Sequence, residues 1–160
     1  EKICADCDFE NSTCQYEIDS YSAVEWKRVQ ARSSNNGPVI DNTLKTPLGY
    51  YMYIEAGSGG FYDYSSLLLN VQLKPCSATC ELEFYYHMFG KSDDLTIYMY
   101  TFPGYTKLYE LSGDFGDKWN LARVPIGRVT RNFRIDFDGK RYFNDADHDL
   151  SIDDIRLVNC

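Results

Sequence analysis

The sequence predicts an all-β protein: a disulfide-braced antiparallel β-sandwich of two sheets with jelly-roll topology. Three observations carry that prediction. Apolar and polar residues alternate with a period of two over several short stretches, and helix-length amphipathic runs are missing. Aromatic residues make up 16% of the chain, with fourteen Tyr and nine Phe, and flat side chains pack well on a pleated surface. Six cysteines run from Cys4 to the final residue Cys160, a spread that suits a fold whose ends are tied down covalently.

In chain order, a strand is expected at 51–55. There Tyr51, Tyr53 and Glu55 alternate with Met52 and Ile54 between the turn signals Pro47-Leu48-Gly49 and Gly57-Ser58-Gly59-Gly60. Next, Leu67, Leu69 and Val71 alternate with Leu68, Asn70 and Gln72. Leu82, Phe84, Tyr86 and Met88 then share one face opposite Glu81, Glu83, Tyr85 and His87, and Leu95, Ile97 and Met99 alternate with Thr96, Tyr98 and Tyr100 up to Pro103-Gly104. These last two segments are expected to pair as a hairpin across 90–93. Further strands follow at 106–112, 121–126, 133–137 and 150–158, and short strands punctuated in this way imply a sandwich. The longest irregular stretches, 33–48 and 138–149, are where such a fold carries binding surfaces.

A length of 160 residues fits one domain over 1–160, enough to bury roughly two-thirds of the unfolded surface. The net charge of −8 argues against nucleic acid and against an anionic membrane, because both need clustered Lys and Arg. It suits hard cations, which take carboxylate oxygens. No run approaches the roughly twenty apolar residues that span a bilayer, so direct membrane insertion is not expected. The start Glu1-Lys2-Ile3-Cys4 lacks the basic head and apolar body of a signal peptide, and the chain reads as a mature piece of a larger secreted or cell-surface protein. An even number of cysteines implies an oxidising exterior, with the pairing left open by spacing. A zinc site from Cys4-x-x-Cys7 and Cys76-x-x-x-Cys80 is the weaker reading, since no His stands at ligand spacing. Asn11-Ser12-Thr13 is an acceptor triplet for an N-linked glycan at Asn11.

The residue types point to binding rather than catalysis. His87 and His148 are the only histidines, no Ser–His–Asp or Cys–His arrangement is legible, and the cysteines are needed for bridges. In Ile152-Asp153-Asp154-Ile155, two adjacent acids within a strand force one of them inward. An inward carboxylate needs a cation, an Arg or several N–H donors. The acidic run 136–149 suggests a second cation loop, although it lacks the alternation and terminal Glu of an EF-hand. Tyr50, Tyr51, Tyr53, Phe61, Tyr62, Tyr64 and the stretch 98–102 are dense in aromatics. Phe61, Tyr62 and Tyr64 beside the Gly-rich turn are the expected contact for a partner or a glycan.

The order of Cys7-Asp8-Phe9-Glu10 with Cys14, Trp26, Gly37-Pro38 with Asp41-Asn42-Thr43, Gly49-Tyr50-Tyr51-Met52-Tyr53-Ile54-Glu55, Cys80-x-Leu82-x-Phe84-Tyr85-Tyr86-His87-Met88-x-Gly90, Trp119 and Ile152-Asp153-Asp154-Ile155-x-Leu157 resembles the MAM domain. That domain is shared by meprins, neuropilins and receptor tyrosine phosphatases of the mu type. The resemblance covers essentially the whole chain. It implies an ectodomain jelly roll without catalytic activity, used for adhesion, homophilic contact or oligomerisation. It also implies bridges Cys7–Cys14 and Cys80–Cys160, leaving Cys4 for Cys76, with the partners of Cys76 and Cys80 open to exchange. A structural cation, calcium or sodium, is implied at Glu10 and Asp154, with Asp8, Asp41 and Asp153 as neighbours. The expected function is extracellular recognition of another protein or a second copy. The alternative is a carbohydrate-binding module with a structural cation.

Overall fold

In a computed structural model of the chain, the residues described are 6–20, 25–34, 36–54, 63–71, 78–90, 93–141 and 149–160. Among them lie ten strands: β1 (Glu17–Ser20), β2 (Trp26–Gln30), β3 (Tyr50–Ile54), β4 (Asp63–Val71), β5 (Glu81–His87), β6 (Asp93–Thr101), β7 (Gly104–Ser112), β8 (Asn120–Pro125), β9 (Phe133–Arg141) and β10 (Leu150–Val158). They form two antiparallel five-stranded sheets, ordered β1-β4-β9-β6-β7 and β2-β3-β10-β5-β8.

The expected hairpin between 82–88 and 95–100 does not form. β5 lies in the second sheet between β10 and β8, and β6 lies in the first between β9 and β7. Alternation reveals which residues share a face, and both segments present an apolar inward face that either sheet accommodates. β6 instead turns back onto β7, with Thr101 opposite Gly104. β9 also runs past its expected end to Arg141, because Asp136, Asp138 and Lys140 continue to alternate with Ile135, Phe137 and Gly139. β1 and β2 carry too few apolar residues to be seen from periodicity.

The core is built from alternate positions of both sheets. Leu67 and Leu69 of β4, Leu95 and Ile97 of β6, and Ile135 and Phe137 of β9 face Met52 and Ile54 of β3, Leu82 and Phe84 of β5, and Leu150 and Ile152 of β10. Each such side chain contributes about 1.5–3 kcal/mol by leaving water. Trp26 sits at the centre, fully buried, and its indole N–H is shared by the carbonyls of Ser65 at 3.0 Å and Phe137 at 3.2 Å, both in the opposite sheet. Gly139 makes room for it: a Cβ there would lie 2.3 Å from Ile54 Cδ1 and 3.0 Å from the indole.

Disulfides join Cys7 to Cys14 across seven residues and Cys80 to Cys160 across eighty, the two pairs that the resemblance implies. Cys7 and Cys80 are thereby taken from any zinc site. Cys4 and Cys76, expected as a further bridge, lie outside the described residues. Chain entropy makes the two bridges unequal. Replacing Cys80 and Cys160 together by Ser should cost about 4–5 kcal/mol in urea unfolding, against about 2 kcal/mol for Cys7 with Cys14. Equal losses would show that local geometry, not loop closure, sets their worth.

Candidate functional site

Two segments remote in sequence meet on the outer face of the β2-β3-β10-β5-β8 sheet. The N-terminal run reaches it through Cys7, whose N–H donates to the Ile155 carbonyl at 2.8 Å and whose carbonyl accepts the Ile155 N–H at 2.9 Å. The loop between β2 and β3 folds over the same face. There the Tyr51 hydroxyl donates to the Pro38 carbonyl at 2.8 Å and the Trp119 indole N–H to the Ile40 carbonyl at 3.0 Å. Beneath the loop, Ala31, Tyr51 and Tyr53 form a second buried cluster, with Val29 and Trp119 packed against it.

Buried carboxylates shape this loop. Asp41 accepts the Leu44 N–H at 2.7 Å and the Thr46 N–H at 3.0 Å, so its side chain is the hub of the turn around it. Gly49 is required beside it, because a Cβ there would stand 2.0 Å from the Asp41 carboxyl carbon. Asp153 accepts the Asn42 N–H and the Asp154 N–H, each at 2.9 Å. Of the two adjacent acids, Asp153 is the fully buried one. It alternates with the core residue Ile152, so it faces the layer under the loop, where its charge acts on Tyr51, rather than the sandwich interior as expected. Strand β10 breaks register after it, and Asp154 takes a φ of +49°. The Asp154 oxygens accept the Thr43 hydroxyl and the Asn42 amide, each at 2.6 Å.

Glu10 arrives from the N-terminal side. Its carboxylate accepts the Tyr50 N–H at 3.0 Å, while its own N–H donates to exposed Asp8 at 3.1 Å. Arg28 does not pair with the Glu10 carboxyl. Its guanidinium donates to the carbonyls of Phe9 at 2.7 Å and Glu10 at 2.6 Å, and lies 3.9 Å from the centre of the Tyr50 ring. These bonds hold Phe9 at a φ of +59°, a backbone state that costs a non-glycine residue about 1–2 kcal/mol.

The acids press on one another. Burial raises the Glu10 pKa, and contact with the Asp41 carboxyl and the charges of Asp41 and Asp8 raise it further against the Tyr50 N–H. Burial, helped by the charges of Asp154 and Asp41, pushes Asp153 up to about 8. Glu10, Asp41 and Asp153 offer carboxylate oxygens, the donor type that calcium or sodium takes, and burial with like charge crowds those of Glu10 and Asp153. Among the described residues, no three acidic, His or Cys side chains are gathered at metal-ligand spacing. The oxygens of Asp41 and Asp153 are turned toward N–H groups, and Asp8 and Asp154 stand at the margin.

A second polar cluster lies on the same sheet face. His87, buried, places Nδ1 3.0 Å from buried Asp149 and Nε2 3.0 Å from exposed Asp117. Burial alone would lower the His87 pKa, but the hydrogen bonds and charges of Asp149 and Asp117 outweigh it and the net shift is upward. Burial raises Asp149 as well, opposed by His87, the Phe89 N–H and Ser151. The Ser151 hydroxyl donates to Asp149 at 3.1 Å rather than to the imidazole, so this grouping activates no nucleophile.

The remaining expected residues divide plainly. Asn11 is exposed within the Cys7–Cys14 loop, accessible to a glycan. Phe61 and Tyr62 lie outside the described residues, as does the side chain of Tyr64. The acidic run 136–149 begins as strand, with Asp136 in an ion pair with Arg134, and 142–148 lie outside the described residues. The sequence pointed to 33–48 as a binding stretch but not to the apolar side chains that its loop, 36–49, exposes. Val39, Ile40, Leu44 and Leu48 are exposed there, and their lack of any period among Gly, Pro and Asp was the available signal.

The family model described as MAM domain, meprin/A5/mu, matches residues 7–160. Among curated proteins, the MAM domain-containing glycosylphosphatidylinositol anchor protein 1 of Gallus gallus is 32% identical over 94% of this chain and 17% of its own length. MAM domain-containing protein 2 of Homo sapiens is 30% identical over 95% of this chain and 22% of its own. The chain thus spans about a fifth of these relatives. Among solved structures, TmCBM61, determined with β-1,4-galactotriose, has a TM-score of 0.60 at 16% identity, covering 89% of this chain and 86% of that one. The family 11 carbohydrate-binding module of the cellulase Lic26A-Cel5E of Clostridium thermocellum has a TM-score of 0.56 at 18% identity, covering 100% and 95%. At that identity the likeness is one of fold.

The His87 cluster has a pH signature. Because the folded state holds the His87 proton above the ordinary value of about 6.5, its contribution is complete below that pH and disappears as pH rises through the folded-state pKa. The thermal midpoint should therefore fall with pH above that value, and fall less in Asp149→Asn. An identical slope in the variant would remove the ion pair from the account.

Proposed function

The chain belongs to the MAM domain family, and on that premise we propose that it is a non-catalytic extracellular recognition module. It mediates protein–protein adhesion or self-association as one part of a larger secreted or cell-surface protein. The observation that carries this reading is the loop at 36–49. Its backbone is bonded to the buried carboxylates of Asp41 and Asp153, yet it exposes Val39 at 76%, together with Ile40, Leu44 and Leu48. Apolar side chains on a surface that is already ordered bind a partner without a large entropic cost. Two disulfides and the names of the cell-surface relatives support the extracellular setting.

Self-association is read by sedimentation equilibrium over a wide concentration range. Val39→Asp with Leu44→Asp should weaken it at least tenfold, roughly 1.4 kcal/mol, without lowering the thermal midpoint. A wild-type chain that stays monomeric throughout would rule out a second copy as the partner and direct the search to a different protein.

A bound calcium or sodium ion belongs to the same proposal. It would neutralise Glu10, Asp41 and Asp153 and tie the N-terminal run to β10 and the loop. Calcium added after EDTA should raise the thermal midpoint, by about 2.7 kcal/mol of stability at a hundredfold excess over its Kd, and Glu10→Gln should abolish the rise. No shift with either ion would remove the cation from the proposal.

A second reading, sugar binding, has the support that TmCBM61 was solved with β-1,4-galactotriose on this fold. It requires a polar, sugar-sized surface. The outer face of the β1-β4-β9-β6-β7 sheet, on the far side of the sandwich from the adhesive loop, offers one.

A further inference from the structure

Strand register sets which side chains meet on that outer face. In one row Asp19 stands opposite Ser66, Ser66 opposite Asp138, Asp138 opposite Thr96, and Thr96 opposite Glu110. In the next, Leu68 stands opposite Asp136, Asp136 opposite Tyr98, and Tyr98 opposite Lys107. A third carries Arg134, Tyr100 and Tyr105. Neighbouring strands are about 4.8 Å apart, so polar groups and rings form a lattice on the scale of one sugar ring per strand. Ser66, Tyr98, Tyr105, Arg134, Asp136 and Asp138 line a cleft of about 480 Å³ here.

The groups in the cleft are held in place before any ligand arrives. Arg134 donates to both Asp136 oxygens, at 2.7 and 3.0 Å, and to the Tyr105 hydroxyl at 2.6 Å. The Ser66 hydroxyl donates to Asp138 at 2.7 Å. The Tyr98 and Tyr105 rings meet edge to face at 6.1 Å, and the Tyr100 and Tyr105 rings lie 4.7 Å apart. Asp136 is only 4% exposed although it points outward, which is the mark of a recessed floor.

This chemistry selects among ligands. A polyanion meets the three carboxylates of Asp19, Asp136 and Asp138 against one guanidinium. A bare cation meets Arg134 already seated on Asp136. A protein docking by apolar burial finds Leu68 as the one aliphatic side chain in the lining. A neutral polyol uses everything present. Its hydroxyls donate to carboxylates, accept from the guanidinium and exchange bonds with phenols, and its C–H face lies on a tyrosine ring.

We propose that this cleft binds a neutral oligosaccharide laid across β9, with Asp136 and Asp138 accepting its hydroxyls, Arg134 donating, and Tyr98 and Tyr105 carrying a sugar ring. The assignment rests on the sugar-binding reading and gives it a site. It is independent of the adhesive loop.

The 160-residue chain is titrated calorimetrically with neutral gluco-, galacto- and xylo-oligosaccharides, with a heparin-derived hexasaccharide as the acidic control. At least one neutral sugar should bind. Tyr105→Ala and Asp138→Asn should each weaken it tenfold or more, while Leu44→Asp in the adhesive loop should leave it unchanged. Tyr105 is exposed, so its loss spares the fold even if Asp138→Asn does not. Failure of every neutral sugar overturns the sugar-binding reading together with this site. Binding that survives both variants overturns the site and leaves the reading standing. Preference for the hexasaccharide overturns the neutral ligand.

Discussion

A buried indole has one N–H to satisfy, and the way Trp26 satisfies it ties the two sheets together. β2 belongs to one sheet, while the carbonyls of Ser65 and Phe137 that share its proton belong to β4 and β9 of the other. An unsatisfied N–H at full burial would cost about 1–3 kcal/mol, so this arrangement strongly constrains how the sheets face each other. Gly139 is a consequence of it, being the position on β9 where a Cβ would strike the indole and Ile54. The same strand therefore anchors the core with alternate residues and, with Arg134, Asp136 and Asp138, furnishes the outer cleft.

The other sheet has no free outer face at its centre. Asp153 is fully buried there and must find donors, and it takes the Asn42 N–H. Asp41 does the same with Leu44 and Thr46. Once backbone N–H groups of the loop are committed downward to acids, Val39, Ile40, Leu44 and Leu48 are left toward solvent. A rigid loop with apolar tips is thus the other side of a buried acidic layer. The same layer crowds like charges, which together with burial raises the pKa of Glu10 and of Asp153.

These arrangements place two unlike surfaces on opposite faces, separated by a core about 10 Å thick. One is apolar and braced by acids; the other is polar, aromatic and recessed. The two proposed ligands, a protein at the loop and a sugar chain in the cleft, would therefore not compete for the same surface.

Local pattern in the sequence determined where most strands lie and that the fold is a braced all-β sandwich, because alternation survives in a linear string, whereas the grouping of Glu10 and Asp154 with Asp8, Asp41 and Asp153 came only from the resemblance to MAM domains. It could not decide that β5 and β6 sit in different sheets, since an apolar inward face suits either one. Nor could it see that Asp153 faces the layer under the loop, which depends on what covers the sheet. The cleft is the extreme case: its lining comes from β1, β4, β6, β7 and β9, and only their antiparallel register brings Asp19, Ser66, Tyr98, Tyr105 and Arg134 within reach of one ligand. Residues separated by about a hundred positions become neighbours through backbone hydrogen bonds that carry no sequence signature, so that surface belongs to the tertiary structure alone.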